Sequence, residues 1–268
     1  MYHRHHDAVV ALMRDVAAQI VMPRFRNLAA DEVEEKAADD MVTIADRESE
    51  AALTAGLAAL DPAIRVIGEE AVAADAALVD GIDRGAAWII DPIDGTNNYA
   101  SGIATFGIMI ALVNDGETQA GWILDPVRDR LCHATLGGGA WIDSERVFTR
   151  PSGAERPSAA LATYFMTDEE KAALYRRAET AFTLSPMPRC AAEQYPRLVL
   201  GTNDIALFQK TLPWDHAPGS LFLREAGGVV RWPDGKDYRV GDQRRGMIAA
   251  ASPDLWERAA KVLVPTIA

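Results

Sequence analysis

The sequence predicts a mixed α+β or α/β fold in two halves, on three observations. Strand-like runs alternate with amphipathic helices along the 268 residues, which is typical of sheets covered by helices. Asn114-Asp115-Gly116 between two apolar runs predicts a β-hairpin. Residues 151–158 are rich in proline, serine and glycine. We therefore expect an N-terminal half over residues 1–150 and a C-terminal half over residues 151–268.

The N-terminal half opens with a helix over residues 7–28, because Val9, Met13, Val16 and Ile20 follow helical spacing. A second helix is expected over residues 46–60, because Asp61-Pro62 terminates it. Apolar and β-branched runs predict strands at residues 41–44, 64–67, 88–91, 106–113, 118–124 and 130–134. The glycines at 137–139 lack the spacing of a nucleotide-binding loop and indicate the edge of a hairpin.

In the C-terminal half the same reasoning predicts strands at residues 161–165, 182–184, 204–208, 229–230 and 247–251. Helices are expected at residues 167–180, at 191–200 with Gly201 as its end, after Trp214, and at 253–263.

The composition limits the possible partners. The net charge is −12 and no basic run occurs, so nucleic acid is not expected as a partner. No stretch reaches the roughly 20 apolar residues of a membrane span, and the histidine-rich N-terminus has no apolar signal segment. We interpret the N-terminal histidines as a solvated tail. Two cysteines without metal or redox spacing fit a reducing cytoplasm.

The central motif is Trp88-Ile89-Ile90-Asp91-Pro92-Ile93-Asp94-Gly95-Thr96-Asn97-Asn98-Tyr99. Pro92 favours an extended Asp91, so we expect the strand to end there. Gly95 permits a tight turn, and Thr96 can lie at the start of a helix. Two carboxylates beside free N–H groups suit a hard cation together with an anion. The plainer interpretation is a solvated turn and a capped helix.

Two further segments favour the first interpretation. Glu69-Glu70 follows a strand-like run, and Trp214-Asp215-His216-Ala217-Pro218-Gly219 lies downstream. With the central motif, these residues resemble the inositol monophosphatase family of metal-dependent phosphatases. The similarity extends from Lys36 to about Gly228, with Tyr99 in place of the usual phenylalanine and Pro218 in place of the usual alanine.

The resemblance implies a layered αβαβα sandwich of the sugar phosphatase type. Its N-terminal sheet would be mixed and largely antiparallel, and its C-terminal α/β half smaller. It implies two or three Mg²⁺ ions, with Glu70, Asp91, the Ile93 carbonyl, Asp94 and Asp215 as ligands. One ion would activate a water molecule that Glu70 and Thr96 orient, and the second, with Asp94, would stabilise the leaving alkoxide.

The resemblance also suggests how the substrate binds. Gly95 and Thr96 N–H groups would hold the phosphate, while Ala191, Ala192 and Asp215 would face the rest of the substrate. Asp46 would support these residues or act only as a helix N-cap, and Lys36 belongs to a loop that contributes to an additional metal site in the family. Without the resemblance, Asp215 too is most simply an N-cap.

Substrate identity stays open at this point. Inositol-specific members carry a sugar-binding glutamate six residues before the tryptophan of the second motif, whereas this chain has Phe208. The neighbouring Gln209 or Lys210 could compensate for its loss. A histidinol phosphate, a fructose bisphosphate or a phosphoadenosine nucleotide are alternatives to an inositol phosphate. The resemblance further implies homodimers and inhibition by lithium. A non-catalytic, cation-binding regulatory protein on the same scaffold is the alternative of a different class.

Overall fold

Two β-sheets form the frame of the molecule, which we describe from a computed structural model covering residues 2–37, 40–242 and 244–264. A two-stranded hairpin precedes them, made of β1 (Val33–Ala37) and β2 (Asp40–Thr43). The large sheet contains, in spatial order, β3 (Arg65–Gly68), β4 (Ala86–Asp94), β5 (Gly107–Asn114), β6 (Glu117–Asp125), β7 (Arg130–Thr135), β8 (Gly139–Ile142) and β9 (Glu145–Val147). β3 and β4 are parallel and every other neighbouring pair is antiparallel.

The small sheet belongs to the C-terminal part of the chain. Its strands are β10 (Ser158–Leu161), β11 (Thr183–Ser185), β12 (Ile205–Phe208), β13 (Val229–Arg231) and β14 (Met247–Ala250). They lie in the order β11-β10-β12-β14-β13. The first two pairs are parallel and the last two antiparallel.

The helices cover both sheets. They are α1 (His6–Val16), continued by a π-helical turn (Ala17–Val21) and α2 (Met22–Arg24), α3 (Ile44–Leu60), α4 (Glu69–Ala74), α5 (Thr96–Ala100), α6 (Asp168–Ala178), α7 (Ala191–Leu200), α8 (Pro213–Glu225) and α9 (Pro253–Leu263). Short 3₁₀ turns lie at Ala30–Glu32 and Ala76–Val79. Among these described helices, none is both long and apolar enough to cross a membrane.

Side-chain alternation along the strands creates the layers. Trp88 and Ile90 of β4 pack in one apolar cluster with α1 and α3, whereas Ala87 and Ile89 pack in another with α7 and α8. That second cluster also contains Phe208 and one face of the small sheet. The opposite face of the small sheet packs on α6 and α9. The order of layers is therefore αβαβα, which confirms the predicted fold class.

The division at residue 150 stays a prediction. The large sheet ends at Val147 and the small sheet begins at Ser158, but one apolar cluster contains residues of both sheets. The side chain of Lys36 and the loop residues 38 and 39 lie outside the described residues, so the expected role of this loop is not addressed.

Candidate active site

The two aspartates of the central motif lie on a β-bulge. β4 continues through Asp94 instead of ending at Asp91 as we expected. Asp91 pairs with Met109 and Asp94 with Gly107, so β4 carries one residue more than β5 between these pairs. Pro92 has no N–H for the ladder, which explains the irregularity here. Side chains three apart on a regular strand point to opposite faces; the extra residue allows both aspartates to line the same cleft.

The acidic pair Glu69-Glu70 begins a helix, whereas we expected it at a strand end. α4 starts at Glu69 directly after β3, and the Glu50 carboxylate accepts hydrogen bonds from the N–H groups of Glu70 (2.7 Å) and Ala71 (2.8 Å). Successive helical side chains point about 100° apart, so the two glutamates face different surroundings. Glu69 lines the cleft with Asp91.

Of this pair it is Glu69, and not the Glu70 that we expected, whose carboxylate has metal-ligand spacing to the other acidic residues. Among the described residues, the carboxylate cluster with metal-ligand spacing consists of Glu69, Asp91 and Asp215, whose oxygens all lie within 4.8 Å of one another. The charge of Glu70 instead raises the pKa values of Asp46 and Arg47, as one of several causes. The ligand role of either glutamate stays a prediction.

Asp215 reaches the cluster from the first turn of α8. Leu212 is the N-cap of this helix and Asp215 is its third residue, so the simple N-cap interpretation of Asp215 does not hold. Pro218 is the sixth residue of α8. It lies against β6, where a Cβ added at Gly121 would be 2.8 Å from the Pro218 Cα. Gly121 permits this close approach and so helps to fix α8 against the large sheet.

The carboxylate cluster is electrostatically unfavourable by itself. Two carboxylates about 4 Å apart repel by roughly 4 kcal/mol at an effective dielectric constant near 20. Burial raises the pKa of Asp91 well above its usual value, and the charges of Glu69, Asp94, Asp215 and Asp46 add to the shift. Burial also raises the pKa of Asp94. The cluster therefore favours binding of either protons or a cation, and its all-oxygen donor set fits Mg²⁺.

Thr96 connects the cluster to Asp46. Its hydroxyl oxygen is 2.9 Å from the Ile93 carbonyl oxygen and 3.1 Å from a carboxylate oxygen of Asp46. The other oxygen of Asp46 accepts hydrogen bonds from the N–H (2.8 Å) and the hydroxyl (2.6 Å) of Thr43. Thr43 is the N-cap of α3, so Asp46 is not itself the N-cap. Burial raises the pKa of Asp46 to about 6, against the effect of these hydrogen bonds.

Gly95 forms the turn that we expected. Its φ is +86°, in the left-handed region, and it is the N-cap of α5. An added Cβ would be 3.1 Å from both the Cys190 Cβ and the Thr105 carbonyl oxygen. Gly95 and Thr96 both line the cleft.

The small residues of α7 support Asp94. The N–H of Ala192 donates to the Asp94 carboxylate at 2.6 Å, and a Cβ at Gly107 would be 2.7 Å from the Ala192 Cβ. Of the two alanines expected to face the substrate, Ala191 lines the cleft. Ala192 instead packs against β5, and its N–H positions the Asp94 side chain.

The cleft has a volume of ≈ 560 Å³. Phe208 lines it and is 6% exposed, with its ring stacked on Tyr195 at 5.6 Å between centroids. His216 is buried; its Nδ1 is 2.9 Å from the Tyr195 hydroxyl and its Nε2 is 3.1 Å from the Lys210 carbonyl oxygen. Burial lowers the pKa of His216 to about 4, so the ring is neutral near pH 7. His216 therefore supports the wall of the cleft through hydrogen bonds inside the protein.

Residues 164, 165 and 189 also line the cleft, and our sequence reasoning missed them. Tyr164 and Phe165 follow β10, and Arg189 precedes α7. No motif includes them, because their loops carry no spacing pattern. No sequence signal distinguishes Glu69 from Glu70, because the choice depends on where α4 begins.

The layered αβαβα fold, with an oxygen-donor site at the end of β4, defines the class of sugar-phosphatase-type proteins. The chain belongs to the inositol monophosphatase family, whose family model matches residues 3–267. Similarity to named relatives agrees with this class. The chain is 31% identical over 225 residues to "Nus factor SuhB" of Vibrio cholerae, covering 82% of this chain and 80% of the relative.

Two further comparisons are informative. The chain is 27% identical to "Inositol-1-monophosphatase" of Bacillus subtilis over 234 residues, 84% of each chain. Among solved structures, the IMPase of Thermotoga maritima has a TM-score of 0.81 at 25% identity and covers 97% of each chain. Family and relatives together support a phosphatase of this superfamily in general.

Proposed function

We propose that the protein is a Mg²⁺-dependent phosphatase that hydrolyses a small phosphate monoester. The observation that carries this proposal is the convergence of Glu69, Asp91 and Asp215 within 4.8 Å beside the turn at Gly95. The residues come from α4, β4 and α8, so the fold and not a local motif assembles the site.

Two or three cations are expected in the cleft. Glu69, Asp91 and the Ile93 carbonyl would hold one, and Asp91, Asp94 and Asp215 a second. Bound Mg²⁺ would supply positive charge and lower the pKa of a water molecule. The four carboxylates would otherwise repel a phosphorylated substrate.

The chain's own groups orient the reactants. The Thr96 hydroxyl, held by Ile93 and Asp46, would position the attacking water, with Glu69 in the role that we first gave to Glu70. Gly95 and Thr96 N–H groups would bind the phosphate oxygens. Asp94, fixed by the Ala192 N–H, would lie on the leaving-group side of the reaction.

Several finer properties belong to the same proposal. An inositol phosphate is the simplest substrate by family, and histidinol phosphate, a fructose bisphosphate or a phosphoadenosine nucleotide are alternatives. We also propose a homodimer that lithium inhibits, that works in the cytoplasm and that binds no nucleic acid.

A second candidate is a non-catalytic, cation-binding regulatory role. It is favoured by the relative at 31% identity that carries the name Nus factor SuhB. The Thr96 hydroxyl, held by Ile93 and Asp46 beside the carboxylates, supports the catalytic candidate, since binding a cation alone needs only the carboxylates.

Phosphate release tests the two candidates. The purified protein is incubated with inositol 1-phosphate, histidinol phosphate, fructose 1,6-bisphosphate, 3′-phosphoadenosine 5′-phosphate and adenosine 2′-monophosphate, in Mg²⁺ and in EDTA. We expect release from at least one substrate in Mg²⁺ and none in EDTA. Release that is equal in EDTA contradicts the proposed mechanism, and no release from any substrate favours the regulatory role.

A further inference from the structure

The part of the cleft beyond the carboxylates is mainly aromatic and aliphatic. Its lining there includes Ala162, Tyr164, Phe165, Met187, Phe208 and Leu212. Such a wall offers stacking and van der Waals contact, but few hydrogen bonds for the hydroxyl groups of a sugar or polyol.

Two polar side chains among these walls, His216 and Gln194, form hydrogen bonds inside the protein. Both ring nitrogens of His216 lie at hydrogen-bond distance from protein atoms. The Gln194 amide nitrogen donates to the Asn203 side chain at 3.2 Å. Phe208 stands where a sugar-binding carboxylate occurs in inositol-specific relatives. The polar groups that a polyol would meet here include the Gln194 amide oxygen and the cationic Arg189 and Lys210, with no carboxylate at position 208.

Two aromatic rings at the rim are exposed in spite of their size. Tyr164 is 45% and Phe165 is 55% exposed. The Arg189 guanidinium lies over the Tyr164 ring at 4.5 Å from its centroid, and the Lys210 ammonium lies 5.3 Å from the centroid of Phe165. These cation–π contacts hold the rings at the cleft while leaving ring surface accessible.

There is room for a ring-sized group beyond the rim. A second cavity of ≈ 710 Å³ adjoins the cleft and shares Phe165, Lys210 and Leu212 with it. A substrate whose phosphate lies at the carboxylate cluster can therefore extend past Phe165 without leaving the protein surface.

We propose that Tyr164 and Phe165 select phosphate monoesters whose alcohol carries a planar aromatic or heteroaromatic ring. This inference rests on the proposed phosphatase function and narrows its substrate class. The ring stacks on the rim aromatics while the phosphate is held at the Gly95 turn. Stacking of a base on an aromatic side chain is strong enough to change selectivity roughly ten-fold or more.

The test compares two substrates that differ only in the ring. Adenosine 2′-monophosphate and methyl ribofuranoside 2-phosphate present the same secondary phosphate ester, but the second has a methoxy group in place of adenine. We expect the wild-type kcat/KM to be at least about ten-fold higher for the adenosine compound. In the double variant Y164A/F165A this ratio falls towards one. A wild-type ratio near one, or a ratio that the double variant leaves unchanged, would overturn the proposal.

Two controls make the result specific. Phe148 is 59% exposed and has Arg146 at 5.3 Å from its ring centroid, and it lies outside the lining of the cleft. The F148A variant should keep the wild-type ratio. Tyr164→Phe should also keep it, because the ring is retained.

Binding of adenosine itself separates this proposal from the phosphatase proposal. Isothermal titration of adenosine into wild-type protein and Y164A/F165A needs no turnover. If no ester of the phosphate-release panel is hydrolysed, the proposed function fails, whereas hydrolysis restricted to esters without an aromatic ring contradicts the selectivity proposed here. Weaker adenosine binding by the double variant still supports the stacking site, whereas equal or absent binding in both proteins contradicts it.

Discussion

At the scale of single residues, the sequence predicted an acidic cleft but not every residue that lines it. Asp91, Asp94 and Asp215 all line the cleft, because the motifs that carry them are specific. Adjacent glutamates at 69 and 70 could not be distinguished by composition or spacing. The choice depends on where α4 begins, and helix starts are uncertain by one or two residues even in structures.

Asp94 provides a prediction at this scale. Asp94→Asn keeps an oxygen that can accept the Ala192 N–H but removes the charge that a cation needs. We expect turnover to fall at least roughly 100-fold with little change in thermal stability, since one source of repulsion is also removed. Phosphate-release kinetics and circular dichroism melting measure the two effects.

Asp204 supplies the matched control. Its buried carboxylate likewise accepts backbone N–H groups, from Ser152 and Ser158, but it lies outside the cleft. Asp204→Asn should lower the melting temperature and leave kcat nearly unchanged. Activity that survives in Asp94→Asn, or that is lost equally in Asp204→Asn, would contradict the assigned role.

At the scale of elements, the sequence predicted most strands and helices. It did not predict the irregularities that orient the acidic side chains of the cleft. The bulge in β4 places Asp91 and Asp94 on one side, and it depends on pairing with β5, which lies more than ten residues away. The internal position of Pro218 depends on where α8 begins. Local patterns carry no information about such pairing and packing.

Gly95 gives a prediction for the turn that follows this bulge. In Gly95→Ala, a side chain must adopt a φ of +86° and meet Cys190 and Thr105 at 3.1 Å. We expect a loss of about 2–3 kcal/mol in the free energy of unfolding, from backbone strain of about 1 kcal/mol plus the close contacts. Urea unfolding measures the loss.

The variant Gly235→Ala serves as a control that has the backbone strain of Gly95→Ala without its close side-chain contacts. Its φ is +85° and nothing lies within 4 Å of an added Cβ. Gly235→Ala should cost only the strain, about 1 kcal/mol. Equal losses in the two variants would show that the Gly95 turn is not packed as described.

At the scale of the whole molecule, the family resemblance predicted the layers, while the packing of the N-terminus was missed. We interpreted His3, His5 and His6 as a solvated tail. Instead, the His6 ring lies 4.3 Å from that of His133, and the Trp122 indole N–H donates to His6 at 3.1 Å. Periodicity shows which face of a helix is buried, but it does not show which strand residues meet the helix start.

This packing predicts a pH-dependent stability. Burial lowers the pKa of His133 to about 4 from an unfolded value near 6.5. The folded state thus binds fewer protons, and its stability is greatest above pH 6.5 and declines as the pH falls towards 4. At pH 5 the loss from this residue is about 2 kcal/mol. The neutral His216 adds to the same trend.

The variant His133→Gln tests the contribution of the ring. Its amide can still donate to the Asp143 carbonyl, which His133 reaches at 3.1 Å, but it does not titrate. Between pH 7.5 and 5 its melting temperature should fall less steeply than that of the wild type, whatever its absolute stability. Parallel pH profiles in the two proteins would contradict the buried, neutral histidine.

The most direct test of the account compares two neighbouring variants, Glu69→Gln and Glu70→Gln, by Mg²⁺ titration calorimetry and phosphate release. Each removes one negative charge from the first turn of α4. We predict that Glu69→Gln weakens Mg²⁺ binding at least roughly ten-fold and lowers turnover at least roughly 100-fold, while Glu70→Gln changes both much less. Equal effects, or a larger effect from Glu70→Gln, would contradict a cation site built on Glu69, Asp91 and Asp215.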